Sequence, residues 1–315
     1  MTTRRHFVRT ASLASMAAAW AATGTAAWAA TPVPAATPRA LRAAPRTPLR
    51  WQHFPANEQG FSRAPVLLTG ERDAVLIDGG FTLSDGRALA DAIRATGKRL
   101  TTIYISQSDP DYYFGLAPVR AAFPQAKVLA ASDTLRAIHG NVQKKLATWG
   151  PQLKDNGPQT LADVVMPEAF DGPALELEGH RIEIVPAEGL PNRRYLWVPS
   201  LRAIFGGVMV FSGLHVWTAD TPTPGARSAW AHTLDRMLER QPAVVVPGHM
   251  AAGAPLGAEA LAYTRDYLRH FEREAAKAPN SQALIAAMTR LYPQAGSPMS
   301  LELGAKVAKG EMQWG

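Results

Sequence analysis

The chain of 315 residues contains no cysteine. It therefore forms no disulfide and offers no thiolate to a metal ion. Nor is there a run of about 20 strongly apolar residues, the length that a spanning helix needs, which excludes a membrane span in the mature chain. Basic residues outnumber acidic ones, 33 against 26, for a formal charge of +7. They are scattered, with no run and no interleaved aromatic stripe, so the charge makes no footprint for nucleic acid. Hydrophobic content of 47% and charged content of 19% suit a globular protein. The length allows one large domain or two small ones.

The N-terminus is informative. In Thr3-Arg4-Arg5-His6-Phe7-Val8 an arginine pair is followed by an apolar residue two positions on. Ala11 to Ala30 is alanine-rich and mildly hydrophobic, and Ala27-Trp28-Ala29 has the A-x-A form of a cleavage site. This predicts a leader over residues 1–30 that resembles a twin-arginine export signal, and hence a periplasmic protein. An ordinary secretory signal or a mitochondrial transit peptide is the alternative. Arg4, Arg5 and Arg9 would leave with the leader and lower the positive charge. Export in the folded state suits a protein that acquires a cofactor first. Residues 31–50 (TPVPAATPRALRAAPRTPLR) are rich in Pro, Ala and Arg and predict an exposed linker. One domain is then expected over 51–315.

Apolar periodicity predicts strands at Pro65–Thr69, Ala74–Ile77, Leu100–Ile105, Lys127–Ala130, Arg194–Val198, Ala203–Phe205 and Val244–Val246, with a hairpin at 174–178 and 181–185. Helices are expected at Leu83–Thr96, 117–123, 133–149, Arg227–Arg240, near 257–275 and at 281–292. Two β-rich blocks, each followed by helices, suit a four-layer αββα sandwich, although periodicity alone is compatible with other α/β folds.

Residues 105–115 read I-S-Q-S-D-P-D-Y-Y-F-G. In register on Asp111 and Gly115, this loop resembles the T-H-x-H-x-D-H-x-x-G segment of the metallo-β-lactamase superfamily. Four further pieces follow the family pattern in order. Val75 to Gly80 is similar to its L-I-D-x-G strand end, and Val185 to Pro199 to the segment carrying G-H-T-P-G. Ala203 to Val208 is similar to the strand ending T-G-D, and Val245-Val246-Pro247-Gly248-His249 to V-x-P-G-H. The resemblance, over about residues 62–275, implies the αββα fold and hydrolase-like chemistry on a small molecule.

Of seven ligand positions that the resemblance implies, Asp111 and His249 keep their type. Gln107, Asp109, Tyr112, Gly189 and Val208 stand at the others. That set cannot build a bridged dinuclear zinc site. Two readings stay open. In the first, Asp109, Asp111 and His249 bind one divalent metal (Zn, Mn or Fe, with Mg also suited to oxygen ligands) for hydrolysis of an ester, lactone or amide. His215 would then be a fourth ligand or base, Asp220 and Glu188 further candidates, and Tyr112 or Tyr113 a hydrogen-bond donor to an oxyanion. In the second, no metal binds, Tyr112 and Val208 fill the vacated volume, and the pocket takes a small molecule or a protein partner. Neither substrate nor oligomeric state is specified.

Simpler roles also fit. Asp109-Pro110-Asp111 makes a good turn, and Asp78 suits a structural acceptor of backbone N–H groups. Trp197, Trp217 and Trp230 suit core or pocket wall. Arg193-Arg194 suits a surface pair, with capture of an anionic substrate as the alternative.

Overall fold

The computed structural model describes residues 47–314; the leader expected over residues 1–30, and the expected linker up to residue 46, lie outside the described residues. In chain order the strands are β1 (Arg50–His53), β2 (Val66–Thr69), β3 (Asp73–Ile77), β4 (Arg99–Ile105), β5 (Lys127–Ala130), β6 (Glu168–Ala169), β7 (Ala174–Leu177), β8 (His180–Pro186), β9 (Arg194–Val198), β10 (Ala203–Phe205), β11 (Phe211–Ser212), β12 (Val244–Val246) and β13 (His249–Met250). The α-helices are α1 (Leu83–Ala95), α2 (Leu116–Ala122), α3 (Ser132–Leu153), α4 (Pro224–Glu239), α5 (Ala258–Lys277), α6 (Ser281–Leu291) and α7 (Pro298–Ala308).

Side-chain alternation explains the layering. One sheet runs β1-β2-β3-β4-β5-β6 and a second β12-β10-β9-β8-β7. Val66, Leu68, Val75, Ile77, Tyr104 and Leu129 of the first sheet share one core with Leu177, Ile182, Leu196, Val198, Phe205 and Val246 of the second. Their sequence neighbours point the other way. Leu67, Leu76, Ile103, Ile105 and Val128 belong to a second cluster with helix residues Leu89, Ile93, Leu116, Ile138 and Val142, and Ile204 and Val245 join it with Trp230, Leu234 and Leu261. Both faces of each sheet are therefore apolar, as strands read when they are buried on both sides. This is the expected αββα sandwich. Burying each such aliphatic side chain stabilises the fold by about 1.5–3 kcal/mol.

The expected strands recur within a residue or two of their observed ends. Five elements were not anticipated: β1, β6, β11, β13 and α7. Strand β1 starts inside the stretch expected to be linker, pairing Arg50 with Thr69 and His53 with Val66. Among the described residues, no helix is long and apolar enough to cross a membrane.

Candidate functional site

The loops at one end of the two sheets are drawn together by a buried arginine that the motif reading passed over. Arg63, on the approach to β2, has 0% exposure. Its Nη2 donates to Asp78 Oδ2 (2.9 Å) at the end of β3, and its Nη1 to the Gly248 carbonyl (2.5 Å) between β12 and β13. Its Nε donates to the Asp111 carbonyl (3.3 Å) and lies 3.5 Å from Asp111 Oδ2. The planar fork thus ties three loops at once, which a lysine ammonium cannot do. Asp78 has the structural role expected of it: it accepts from Ser106 N (2.8 Å) and Oγ (2.9 Å), clamping the end of β4. Gly248 is required by close approach, since a Cβ there would meet the Gly207 carbonyl at 1.8 Å and Arg63 Nη1 at 2.8 Å.

The metal-loop positions separate into two groups. Asp111 is 8% exposed, and its Oδ2 lies 3.4 Å from His249 Nε2. Tyr112 Oη also lies 3.4 Å from that nitrogen. His249 Nδ1 is 2.8 Å from the Phe61 carbonyl, which only accepts, so Nδ1 carries the proton and Nε2 offers a lone pair. The imidazole stacks on Phe211 at 4.8 Å and 8°. Arg63 Cζ sits 3.7 Å from the centre of the Tyr112 ring. Asp109 turns away from this group: its Oδ1 faces Lys145 Nζ of α3 at 3.4 Å, and its Oδ2 accepts from Gln107 Nε2 at 2.7 Å.

Burial shapes the electrostatics. It pushes the Asp111 carboxyl up to about 7, against the pull of Arg63. It pulls the His249 imidazole down to about 3, and Arg63 adds to that effect. At neutral pH the imidazole is uncharged. Burial also raises the Tyr112 phenol well above its ordinary value, so it remains a hydroxyl donor.

The remaining candidates fall elsewhere. His215 packs against Tyr267, with Nδ1 3.0 Å from its hydroxyl, and lines neither cavity at the site; the expectation of a fourth ligand or base is not met by this placement. Its seven-residue distance from Val208 gave the right rim but not the inward turn into the helical core. Tyr113 is buried against Phe114. Glu188 is exposed and lies outside both cavities. Asp220 does reach the cleft, accepting from Trp217 Nε1 at 2.8 Å. Burial, followed by Asp109, raises its carboxyl to about 6.

Two adjoining cavities cover this floor. The inner one has about 630 Å³ of empty space, and Val208, Phe61, Trp149, Phe211, Trp217 and Trp314 are among its lining residues. The outer one has about 1470 Å³ and includes Gln107, Asn141, Asn192 and Arg193. Trp217 is pocket wall, one of the two roles expected for it. Arg193 and Arg194 are not the surface pair expected. Both are buried, and Arg194 grips Asp133 through 2.8 and 3.0 Å bonds. Arg194 opens β9 and reaches α3, while Arg193, just before the strand, lies on the cleft.

Asp109, Asp111 and His249 do not make a metal-binding set. Among the described residues, no group of three or more His, Asp or Glu is placed to hold an ion. Asp111 and His249 supply two donors, fewer than the three or four that zinc takes. The third expected ligand, Asp109, is held by Lys145, and a permanent cation already contacts Asp111.

Two packed sheets flanked by helices, with a loop site over their edges, define the class: a hydrolase-like αββα scaffold. The sequence profile of the metallo-beta-lactamase superfamily matches residues 60–249, and the chain belongs to that family. Among solved structures it is similar to a metallo-beta-lactamase from Pontibacter korlensis, with 18% identity, TM-score 0.48, and coverage of 66% of this chain and 87% of that one. It is also similar to TMB-1 (16%, TM-score 0.45, 70% and 92%) and to VMB-1 (17%, TM-score 0.49, 73% and 94%). No curated protein matches it in sequence.

Proposed function

We propose that this member of the superfamily works without a metal ion and binds a small organic molecule in the aromatic-walled cleft above Asp111 and His249. The observation that carries this reading is Arg63. Its guanidinium contacts Asp111 and covers the Tyr112 ring, so a fixed organic cation lies against two of the family's ligand positions. Val208 and Tyr112 add apolar volume to the same cavity. A mostly apolar pocket with a few polar groups is the usual form of a small-molecule site.

The test is elemental analysis of the mature protein, purified without chelator or histidine tag and incubated with Zn²⁺, Mn²⁺ and Fe²⁺. The expected result is metal far below one equivalent, together with thermal stabilisation by a member of a small-molecule library. One tightly held equivalent of metal would overturn the reading. A second reading, metal-dependent hydrolysis of an ester, lactone or amide, draws on the contact between Asp111 and His249. It requires Asp109 to leave Lys145, and the same elemental analysis decides between the two.

We further propose that the leader exports the folded chain to the periplasm, on the strength of Arg4-Arg5 and the A-x-A site. Replacing both arginines by lysine is expected to leave full-length precursor in the cytoplasm. Unchanged processing of that variant would refute the route.

A further inference from the structure

We propose that the cleft takes a flat aromatic monoanion, with its ring among the tryptophans beside Trp314 and its anionic group on Arg193. This rests on the small-molecule reading above and names the class of ligand.

The polar end is set by Arg193. This side chain is 6% exposed and lines the outer cavity, and its Nη1 is buried with no hydrogen-bond partner. Its Nη2 reaches Asp220 only at 3.9 Å, while that carboxylate accepts from Trp217 Nε1 at 2.8 Å. A guanidinium carries five donors in a rigid fork matched to a carboxylate, and buried polar groups are normally paired. An acceptor from outside the chain would meet that need. Lys144 and Lys145 line the same cavity, where Lys145 faces Asp109 at 3.4 Å.

The apolar end is set by the inner cavity. Trp217 and Trp314 meet edge to face at 5.1 Å and 75°, and Trp149 lines both cavities with Trp314. Indole faces and edges suit a planar ring. Asp109, Lys145, Trp149, Asp220 and Trp314 are common to the two cavities, so one ligand can span them. Residues 312–314 lie beyond the segment that matches the family, whereas Trp149 and Trp217 lie within it.

The experiment is calorimetric titration of the mature protein with three ligands that share one ring: 2-naphthoate, 2-naphthamide and 2-naphthylmethylammonium. One naphthoate is expected per chain, bound about tenfold or more tighter than either partner. Arg193→Met should bring naphthoate down to the naphthamide level and leave naphthamide unchanged, whereas Trp314→Ala should weaken all three. If Arg193→Met does not fold, Arg193→Lys should still lose most of the preference, because an ammonium lacks the fork. Equal binding of the three compounds, or naphthoate binding unmoved by both Arg193 variants, would overturn the anion assignment and leave the small-molecule reading standing. Binding of none of them would overturn the proposal, and the small-molecule reading would fall with it only if the library screen also found no ligand.

Discussion

Arg63→Met is expected to destabilise the domain by about 3–5 kcal/mol, the cost of removing one partner from a buried ion pair. The guanidinium has no exposure, and its loss leaves the Asp78 carboxylate, itself buried, with the Ser106 donors and no counter-charge. The Gly248 and Asp111 carbonyls lose donors in the same step, and the Asp111 side chain loses its cationic neighbour. Methionine restores much of the volume but none of these contacts. Domains of this kind have about 5–15 kcal/mol in total, so about a fifth or more of the stability goes. Arg63→Lys should recover only part of it, since one ammonium cannot reach three loops. The damage from Arg63→Met and Asp78→Asn should be less than additive, because the second change removes the charge that the first strands. Urea unfolding of the wild type, the three single variants and the Arg63→Met, Asp78→Asn double variant measures all of this. A loss below about 1 kcal/mol for Arg63→Met would show that the ion pair does not hold the site loops together.

That arginine also shows where sequence reading stopped. The sandwich was legible because strands buried on both faces are continuous apolar runs, such as Val75-Leu76-Ile77 and Val244-Val245-Val246, punctuated by turn residues. Strand β1 was not, since Arg50-Trp51-Gln52-His53 follows a Pro- and Arg-rich stretch and gains its identity only by pairing with β2. Helix α7 carries Gly304 in its middle, which weakens its periodic signal, although Ser297-Pro298 is a usable start. The paired acids looked like joint ligands because both stand at ligand positions of the loop that resembles the family's metal segment. Across the short turn Pro110–Tyr112 they diverge, Asp109 to Lys145 and Asp111 to Arg63. Those partners are 36 and 48 residues away, and no local pattern announces them. A single hint existed: Arg63 is a lone charge entering Ala64-Pro65-Val66-Leu67-Leu68, and a charge placed there must be buried with company.

The second large effect concerns where one proton resides. Asp111 is raised from 3.8 to about 7 in the folded protein, so between those values the native state holds a proton that the unfolded chain lacks. Taken alone, its contribution is greatest in acid and is lost as pH rises towards 7. His249 is depressed from 6.5 to about 3, so in that range the unfolded chain holds the extra proton and stability grows as pH rises. Between roughly pH 4 and 6.5 the two slopes oppose, because folding moves one proton from imidazole to carboxyl with no net uptake. The pair should therefore leave native stability almost flat in pH over that window. Separating it should expose each limb, at about 1.4 kcal/mol per pH unit and about 3 kcal/mol in all. Relative to wild type, Asp111→Asn should gain stability as pH rises from 4 to 6.5, driven by His249, and His249→Phe should lose it over the same range, driven by Asp111. Because Asp220, raised to about 6, is present in all three proteins, its contribution cancels in the differences. Parallel stability profiles for wild type and both variants would mean that neither group titrates as its burial requires, and that the carboxylate and imidazole share no proton across their 3.4 Å gap.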